Sequence, residues 1–262
     1  MDLNKEYDAK RLRELRANIL KACFYSKEGH IPSAFSILDI LYCLYILLPK
    51  SSSINLKDKD FFILSKGHAS LALYAILEEA KVIDGAWQTS FCNFSSRYGG
   101  HPDMKKISGV HASTGSLGHG LPITVGKVLA RRVLGVDSKA FCLIGDGELN
   151  EGSIWESLLL ASHHKMSELT VIVDNNASSD RALELHSLKS KFDAFGFNVK
   201  EVNGHSHCEI LEAIQLSDPN KPSAIIAKTI KGFGIREFEG NPAWHHAVPT
   251  QTQLENYLKA LS

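Results

Sequence analysis

Between Ala140 and Asn176 the period of apolar and polar residues changes three times. A continuous apolar run, Ala140 to Ile144, stops at Gly145-Asp146-Gly147. A polar turn leads into a helix-period stretch from Ser153 to His164, and a second apolar run, Leu169 to Val173, ends in Asp174-Asn175-Asn176. The pattern predicts strand, loop, helix, strand, loop. Connections of this size between buried strands form right-handed parallel crossovers. Asp146 and Asn176 would then stand at the carboxyl ends of two neighbouring strands, the edge at which open α/β sheets bind ligands.

The same reading extends in both directions. Residues 4–29 have apolar positions Leu12, Leu15, Ile19 and Leu20 with charges between them, and predict a helix ended by Gly29. Ile37 to Leu48 is the most apolar stretch; it is too short for a membrane span and contains Asp39, which predicts a buried helix. Residues 60–65 predict a strand, followed by a Gly67-His68 turn and a helix over Leu71 to Ala80. A glycine-rich region from Gly99 to Gly120 precedes a helical stretch from Ile123 to Val133. Residues 185–195 read as a helix, 197–202 as an edge strand, 223–230 as a buried strand, and a last short helix closes the chain. The expectation is one domain over 1–262, an α/β fold with a doubly wound, mostly parallel sheet flanked by helices.

Asp146 and Asn176 offer hard oxygen ligands. These suit Mg²⁺, which takes one or two protein oxygens and completes its shell with phosphate oxygens and water. Gly145 and Gly147 lack Cβ atoms, which permits a sharp turn and close approach to a phosphate. The following helix would present free N–H groups to an anion. Together these residues read as a metal–diphosphate anchor. The alternative is an ordinary tight turn with Asn176 as a helix cap.

Composition narrows the partners. The chain has 262 residues, with 29 basic and 29 acidic side chains. This balance argues against a nucleic-acid footprint or a polybasic membrane patch. Five scattered cysteines without a C-x-x-C pair read as reduced thiols of a cytoplasmic protein. The charged, helix-period N-terminus does not read as a signal peptide. There is no G-x-G-x-x-G or G-x-x-x-x-G-K-[ST] string to support a plain nucleotide-binding domain. Among the 12 histidines, His30, His68, His101 and His245 each fall at a strand or helix end, with no zinc-type spacing between them.

Gly145-Asp146-Gly147, followed about thirty residues later by an Asn closing an apolar strand, resembles the signature of thiamine-diphosphate enzymes. The fuller string from Gly145 to Gly152, with Ile154-Trp155-Glu156 and His163-His164-Lys165, resembles the transketolase family, specifically the short N-terminal chain of two-subunit transketolases. The similarity continues at Gly29-His30, Asp60 to Ala69, Gly100-His101-Pro102-Asp103, Ser113 to Gly120, Lys231-Gly232-Phe233-Gly234 and Asn241-Pro242-Ala243-Trp244-His245. The resemblance implies that Asp146, Asn176 and the backbone carbonyl of Ser178 hold Mg²⁺ (or Ca²⁺). It places Gly115, Ser116, Leu117, Gly145, Gly147, Glu151, His68 and His245 around thiamine diphosphate. It assigns His30, His68, His101 and His245 to a funnel for a polyhydroxylated sugar, where imidazoles donate to hydroxyls and move protons.

The chain departs from the family in several places. Ile31-Pro32-Ser33-Ala34 replaces Pro-Gly-Gly-Ser, His111 and His119 replace an acid and a Gln, and the loop from Ala177 to Arg181 is shortened and has lost both glycines. The implied reaction is transfer of a two-carbon ketol unit from a ketose or ketose phosphate to an aldose. The family also needs a Glu from a pyrimidine-binding domain. The resemblance therefore implies a C-terminal partner subunit that supplies this Glu and the basic groups that bind sugar phosphate, in an α2β2 heterotetramer. Two alternatives stand beside this reading: a related subunit for a specialised sugar or acyl donor, and a non-catalytic cofactor-binding assembly subunit.

Overall fold

The computed structural model describes residues 2–180, 183–216 and 218–262, with side chains described from Glu6 and from Asp8 onward. Among these residues five strands form one sheet: β1 (Phe61–Leu64), β2 (Ala140–Gly145), β3 (Leu169–Asn175), β4 (Asn198–Asn203) and β5 (Ser223–Lys228). Their order is β1-β2-β3-β5-β4, and every pairing is parallel. The expected α/β fold is present, and β4 occupies the expected edge.

Alternation along the strands builds two cores. Phe62, Leu64, Phe141, Leu143, Ile172 and Ile225 face one layer. Phe61, Ile63, Cys142, Ile144, Val171, Val173 and Ile226 face the other. Successive side chains on a strand point to opposite faces, so a sheet covered on both sides needs apolar residues at every position. The helices are α1 (Asp2–Ser26), α2 (Ile31–Tyr42), α3 (Leu48–Ser51), α4 (Ser70–Glu79), α5 (Trp87–Ser90), α6 (Gly120–Val133), α7 (Gly152–His163), α8 (Leu188–Ala194), α9 (His207–Gln215) and α10 (Gln251–Ala260). The first core is covered by α1, α2, α4, α9 and α10, and the second by α6, α7 and α8.

Three boundaries differ from the sequence reading. α1 ends at Ser26, before Gly29, because Lys27 takes the left-handed conformation (φ 61) and its N–H bonds the Cys23 carbonyl. α2 starts at Ile31 because Pro32 falls in its first turn, where a missing N–H costs nothing. The helical path then widens into a π-helical turn, Cys43–Leu47, just before Pro49. The run Ile31–Ser51 is long and apolar enough to cross a membrane, but 89 % of its most apolar window is buried inside the chain. α8 starts later than expected, at Leu188, where the Ser187 side chain caps it by accepting from the Ser190 N–H.

Candidate functional site

The parallel sheet collects its loops at one edge. Lys66 and His68 follow β1, Asp146 follows β2, Asn176 follows β3 and Lys231 follows β5. With Ser33, Leu117, Gly145, Gly147, Glu148, Ser178 and His245 they line one cleft.

At its floor lies Asp174, fully buried at 0 % exposure. Its carboxylate is paired with Lys66 and accepts from Thr229 Oγ1, Ser36 Oγ (2.8 Å) and Asn176 Nδ2 (2.9 Å). Burial alone would push this carboxyl up; Lys66 and the hydrogen bonds hold it below the ordinary range. The Asn176 amide is thereby oriented, with its nitrogen on Asp174 and its oxygen turned to the Ser178 N–H.

Asp146 is buried, and its pKa is raised by desolvation and then by the nearby Asp174 charge. Its Oδ2 accepts from the Ser178 N–H (2.9 Å), and the same N–H reaches Asn176 Oδ1 (3.2 Å). The two expected ligand oxygens thus converge on one point. The group facing them is the Ser178 N–H, where the sequence reading expected its carbonyl. The turn between them bends at Ala177, which takes a left-handed φ of 58. The rest of the shortened loop reaches Arg181, which lies outside the described residues.

Neither Gly145 nor Gly147 has a positive φ, so the expected sharp turn is not what requires glycine here. A Cβ on Gly147 would meet nothing within 4 Å. The backbone there borders open space that a ligand can enter. The donor set also fits the expected group: two hard oxygens, the Lys66 and Lys231 ammonium groups, and Leu117 as an apolar wall line the same cleft.

Three of the four expected histidines meet above this floor. His30 lies 5.2 Å from His68 and 5.4 Å from His245 between ring centroids. Burial and its imidazole neighbours push His30 down to about 4, and burial with Lys66 pushes His68 down to about 2. His245 is also lowered, by burial and then by Lys231, whose ammonium lies 3.1 Å from its Nδ1. His101 is exposed and packs against Gly115, whose Cβ would lie 3.3 Å from its ring. Ser116 is exposed in the same loop. Among the described residues, no group of three or more His, Cys, Asp or Glu is arranged to hold a metal ion, so the imidazoles do not form a zinc-type site.

Glu151 does not line the cleft. It is exposed at the start of α7, and its Cβ lies 2.7 Å from where Gly118 (φ 78) would carry one. The buried acid is Glu148, which accepts from Ser65 Oγ (2.5 Å), Gly118 N–H (3.0 Å) and Gly145 N–H (3.0 Å). Burial raises its pKa despite these bonds. It ties together the loops that follow β1 and β2 and the glycine-rich loop before α6. Sequence reasoning missed Glu148, Lys66, Ser33 and Lys231. The available signal for Lys66 and Lys231 was a charge immediately after an apolar strand. His246, read as a surface neighbour, is exposed, but its ring lies 4.7 Å from His30 and its Nε2 lies 3.2 Å from Glu28.

Fold and cleft together define an α/β protein with a parallel sheet and a polar cleft at the carboxyl edge of its strands. The family described as "Transketolase, thiamine diphosphate binding domain" matches residues 7–261, and the chain belongs to it. The chain is similar to an apulose-4-phosphate transketolase subunit of Actinobacillus succinogenes, at 36 % identity over 98 % of this chain and 98 % of that one. It is also similar to the transketolase of Homo sapiens, at 36 % identity over 94 % of this chain and 41 % of that protein. Among solved structures, the transketolase of Campylobacter jejuni matches with a TM-score of 0.83 at 32 % identity, covering 97 % of this chain and 42 % of that one.

Proposed function

We propose that this chain is the N-terminal, diphosphate-binding subunit of a split thiamine-diphosphate-dependent transketolase, a transferase of two-carbon ketol units from a ketose or ketose phosphate to an aldose. The observation that carries the reading is the convergence of Asp146 Oδ2 and Asn176 Oδ1 on one point at the sheet edge, in a cleft that Lys66 and Lys231 also line. Asp146 and Asn176 would hold Mg²⁺, or Ca²⁺ in its place, and the two lysines and His68 would meet the diphosphate. A Ser178 carbonyl ligand would require the peptide now facing Asp146 to turn over.

When bound, thiamine diphosphate supplies the ring that stabilises the carbanion left by carbon–carbon cleavage. The chain's own residues do the rest. Lys66 and Lys231 offset the charge of the diphosphate. Leu117 packs on its apolar part and excludes water. His30 and His68 are neutral at pH 7, so each imidazole carries one donor and one acceptor nitrogen. They can hydrogen-bond sugar hydroxyls and pass protons without adding charge.

A pyrimidine-binding partner subunit would supply the activating Glu and the sugar-phosphate contacts, in a cytoplasmic α2β2 assembly. The replacement at Ile31-Pro32-Ser33 puts a serine in the cleft wall. It favours a specialised sugar donor over central pentose phosphates, and the similarity to a subunit of an apulose-4-phosphate transketolase supports the same direction.

Calorimetric titration of thiamine diphosphate with Mg²⁺, into the chain alone and with its candidate partner, tests the proposal. Binding that needs the partner and is lost in Asp146→Ala is the expected result, with turnover of ketose donors by the pair. Binding without any turnover would leave the assembly-subunit reading, and no binding in either case would sink the proposal.

A further inference from the structure

Lys231 reaches the cleft from the turn that follows β5, where its ammonium has His245 Nδ1 as a neighbour at 3.1 Å. A side chain this long and flexible is placed by its backbone, and that backbone is held from outside the cleft. His205 follows the edge strand β4, with 7 % of its side chain exposed. Gly204 lets the two strand ends approach, since a Cβ there would lie 2.3 Å from Thr229 Cγ2. His205 Nε2 accepts from the Ile230 N–H (2.9 Å), and its ring stacks on Phe233 with centroids 3.7 Å apart. One imidazole thus holds the backbone just before Lys231 and the side chain two residues after it. Arg16 Nε adds a bond to the Phe233 carbonyl (3.1 Å), and the Gly232 N–H donates to the Pro32 carbonyl (3.0 Å).

The other side of the ring fixes its protonation. His205 Nδ1 lies 3.1 Å from Asp39 Oδ2, and Asp39 also meets Arg16 Nη2 (2.7 Å) and His207 Nε2 (3.2 Å). Burial would raise the Asp39 pKa, yet the hydrogen bonds from His205 and His207 and the Arg16 charge hold it well below the ordinary carboxylate range. An ionised carboxylate only accepts, so Nδ1 carries the proton, and a backbone N–H only donates, so Nε2 does not. Both neighbours select the same tautomer, and only that tautomer can link Asp39 to the Ile230 peptide.

We infer that His205 is a positioning residue for Lys231: oriented by Asp39, it takes the Ile230 N–H and so sets where the Lys231 ammonium stands in the cleft. The inference rests on the functional reading above, in which Lys231 meets the diphosphate, and extends it to a residue outside the cleft lining. A histidine that only stabilises the fold would affect binding whether or not the lysine is present. A positioning histidine loses its effect once the lysine is gone.

The test compares His205→Phe, His205→Gln, Lys231→Met and the double variant His205→Phe with Lys231→Met, each in the complex of this chain with its partner subunit. Phenylalanine keeps a ring over Phe233 but removes both nitrogens. Glutamine can still donate to Asp39 and accept from Ile230. Two quantities are measured: the dissociation constant of inorganic pyrophosphate with Mg²⁺, and hydrogen exchange at the Ile230 amide without ligand. His205→Phe should weaken pyrophosphate about tenfold and speed Ile230 exchange by a similar factor. His205→Gln should stay within about threefold of wild type in both. In the Lys231→Met background, His205→Phe should change pyrophosphate binding by less than about twofold. Unchanged binding or unchanged exchange in His205→Phe overturns the inference. So does an equal loss in His205→Gln, or a full His205→Phe effect without the lysine. Should His205→Phe give no folded complex, His205→Leu is read in its place against the same outcomes. If wild type binds no pyrophosphate, the functional reading fails and the inference with it; if wild type binds and the lysine makes no difference to His205→Phe, only the inference fails.

Discussion

Replacing Lys66 by methionine should reverse the way stability depends on pH. The Lys66–Asp174 pair is almost wholly excluded from water, at 3 % and 0 % side-chain exposure. In the wild type Asp174 titrates below the ordinary carboxylate range, since Lys66 and the hydrogen bonds outweigh its burial. A depressed carboxylate contributes stability that is present above the unfolded pKa and lost as pH falls through the folded one, here below about 4. Lys66→Met keeps most of the unbranched side chain but removes the ammonium and its charge. Burial then dominates and the Asp174 pKa rises above its unfolded value. The variant therefore loses stability as pH rises from about 4 toward neutrality. Removing one partner of a buried pair costs about 3–5 kcal/mol. For a chain of this size that lowers the melting midpoint by roughly 6–20 °C at pH 7. Urea denaturation followed by circular dichroism, from pH 4.5 to 8, on wild type, Lys66→Met and Lys66→Met with Asp174→Asn measures the difference. The deficit should shrink toward pH 4.5, and the double variant should recover part of it. A deficit below about 1 kcal/mol at pH 7, or one that does not vary with pH, would refute the account of Asp174 as a buried anion held ionised by Lys66.

Other consequences follow from the same geometry. Asp146→Ala should weaken thiamine diphosphate with Mg²⁺ by more than about 100-fold in calorimetry, and wild-type affinity should fall as pH drops through the raised Asp146 pKa, because the metal needs the ionised form. His30, lowered to about 4, should show a flat imidazole NMR shift from pH 8 to 5 and cost stability only as pH falls below about 6.5, where the unfolded chain takes up the proton first; a midpoint near 6.5 in the folded protein would contradict its burial. Ala177→Gly should relieve the left-handed backbone at that exposed position and raise stability by about 1 kcal/mol in urea titration.

The parts of the site legible in the sequence are those in which chemistry sits next to periodicity. Asp146 and Asn176 announce themselves because each ends an apolar run, and a parallel sheet then brings run ends together. The start of α2 was hidden because the continuous apolar run begins only at Ile37, while Pro32 stands in the first turn, where its missing N–H costs nothing. Glu148 and Lys66 were hidden for another reason: a buried charge is stabilised by partners distant in sequence, Ser65 for one and Asp174 for the other. No local window contains such a pair. Glu151 drew attention from Glu148 because the family resemblance fell on Glu151, while nothing in the local sequence marks the acid of the preceding turn.

The strand order also has a consequence for how this chain comes into being. β4 is made before β5, yet β5 is its sole neighbour and lies between it and β3. As the chain leaves the ribosome, β4 has no partner until the segment after Asn203 has been synthesised and Ser223 to Lys228 has slid into the gap. At about 5–20 residues per second that wait lasts roughly 1–5 seconds. During that time β3 and β4 both expose strand edges, and a direct β3–β4 pairing would lock β5 out. Arg16, made early and paired with Asp39, also donates to the Phe233 carbonyl, which is made after β5. β5 therefore has to enter between two strands made before it, and the loop that follows it carries Lys231 to the cleft.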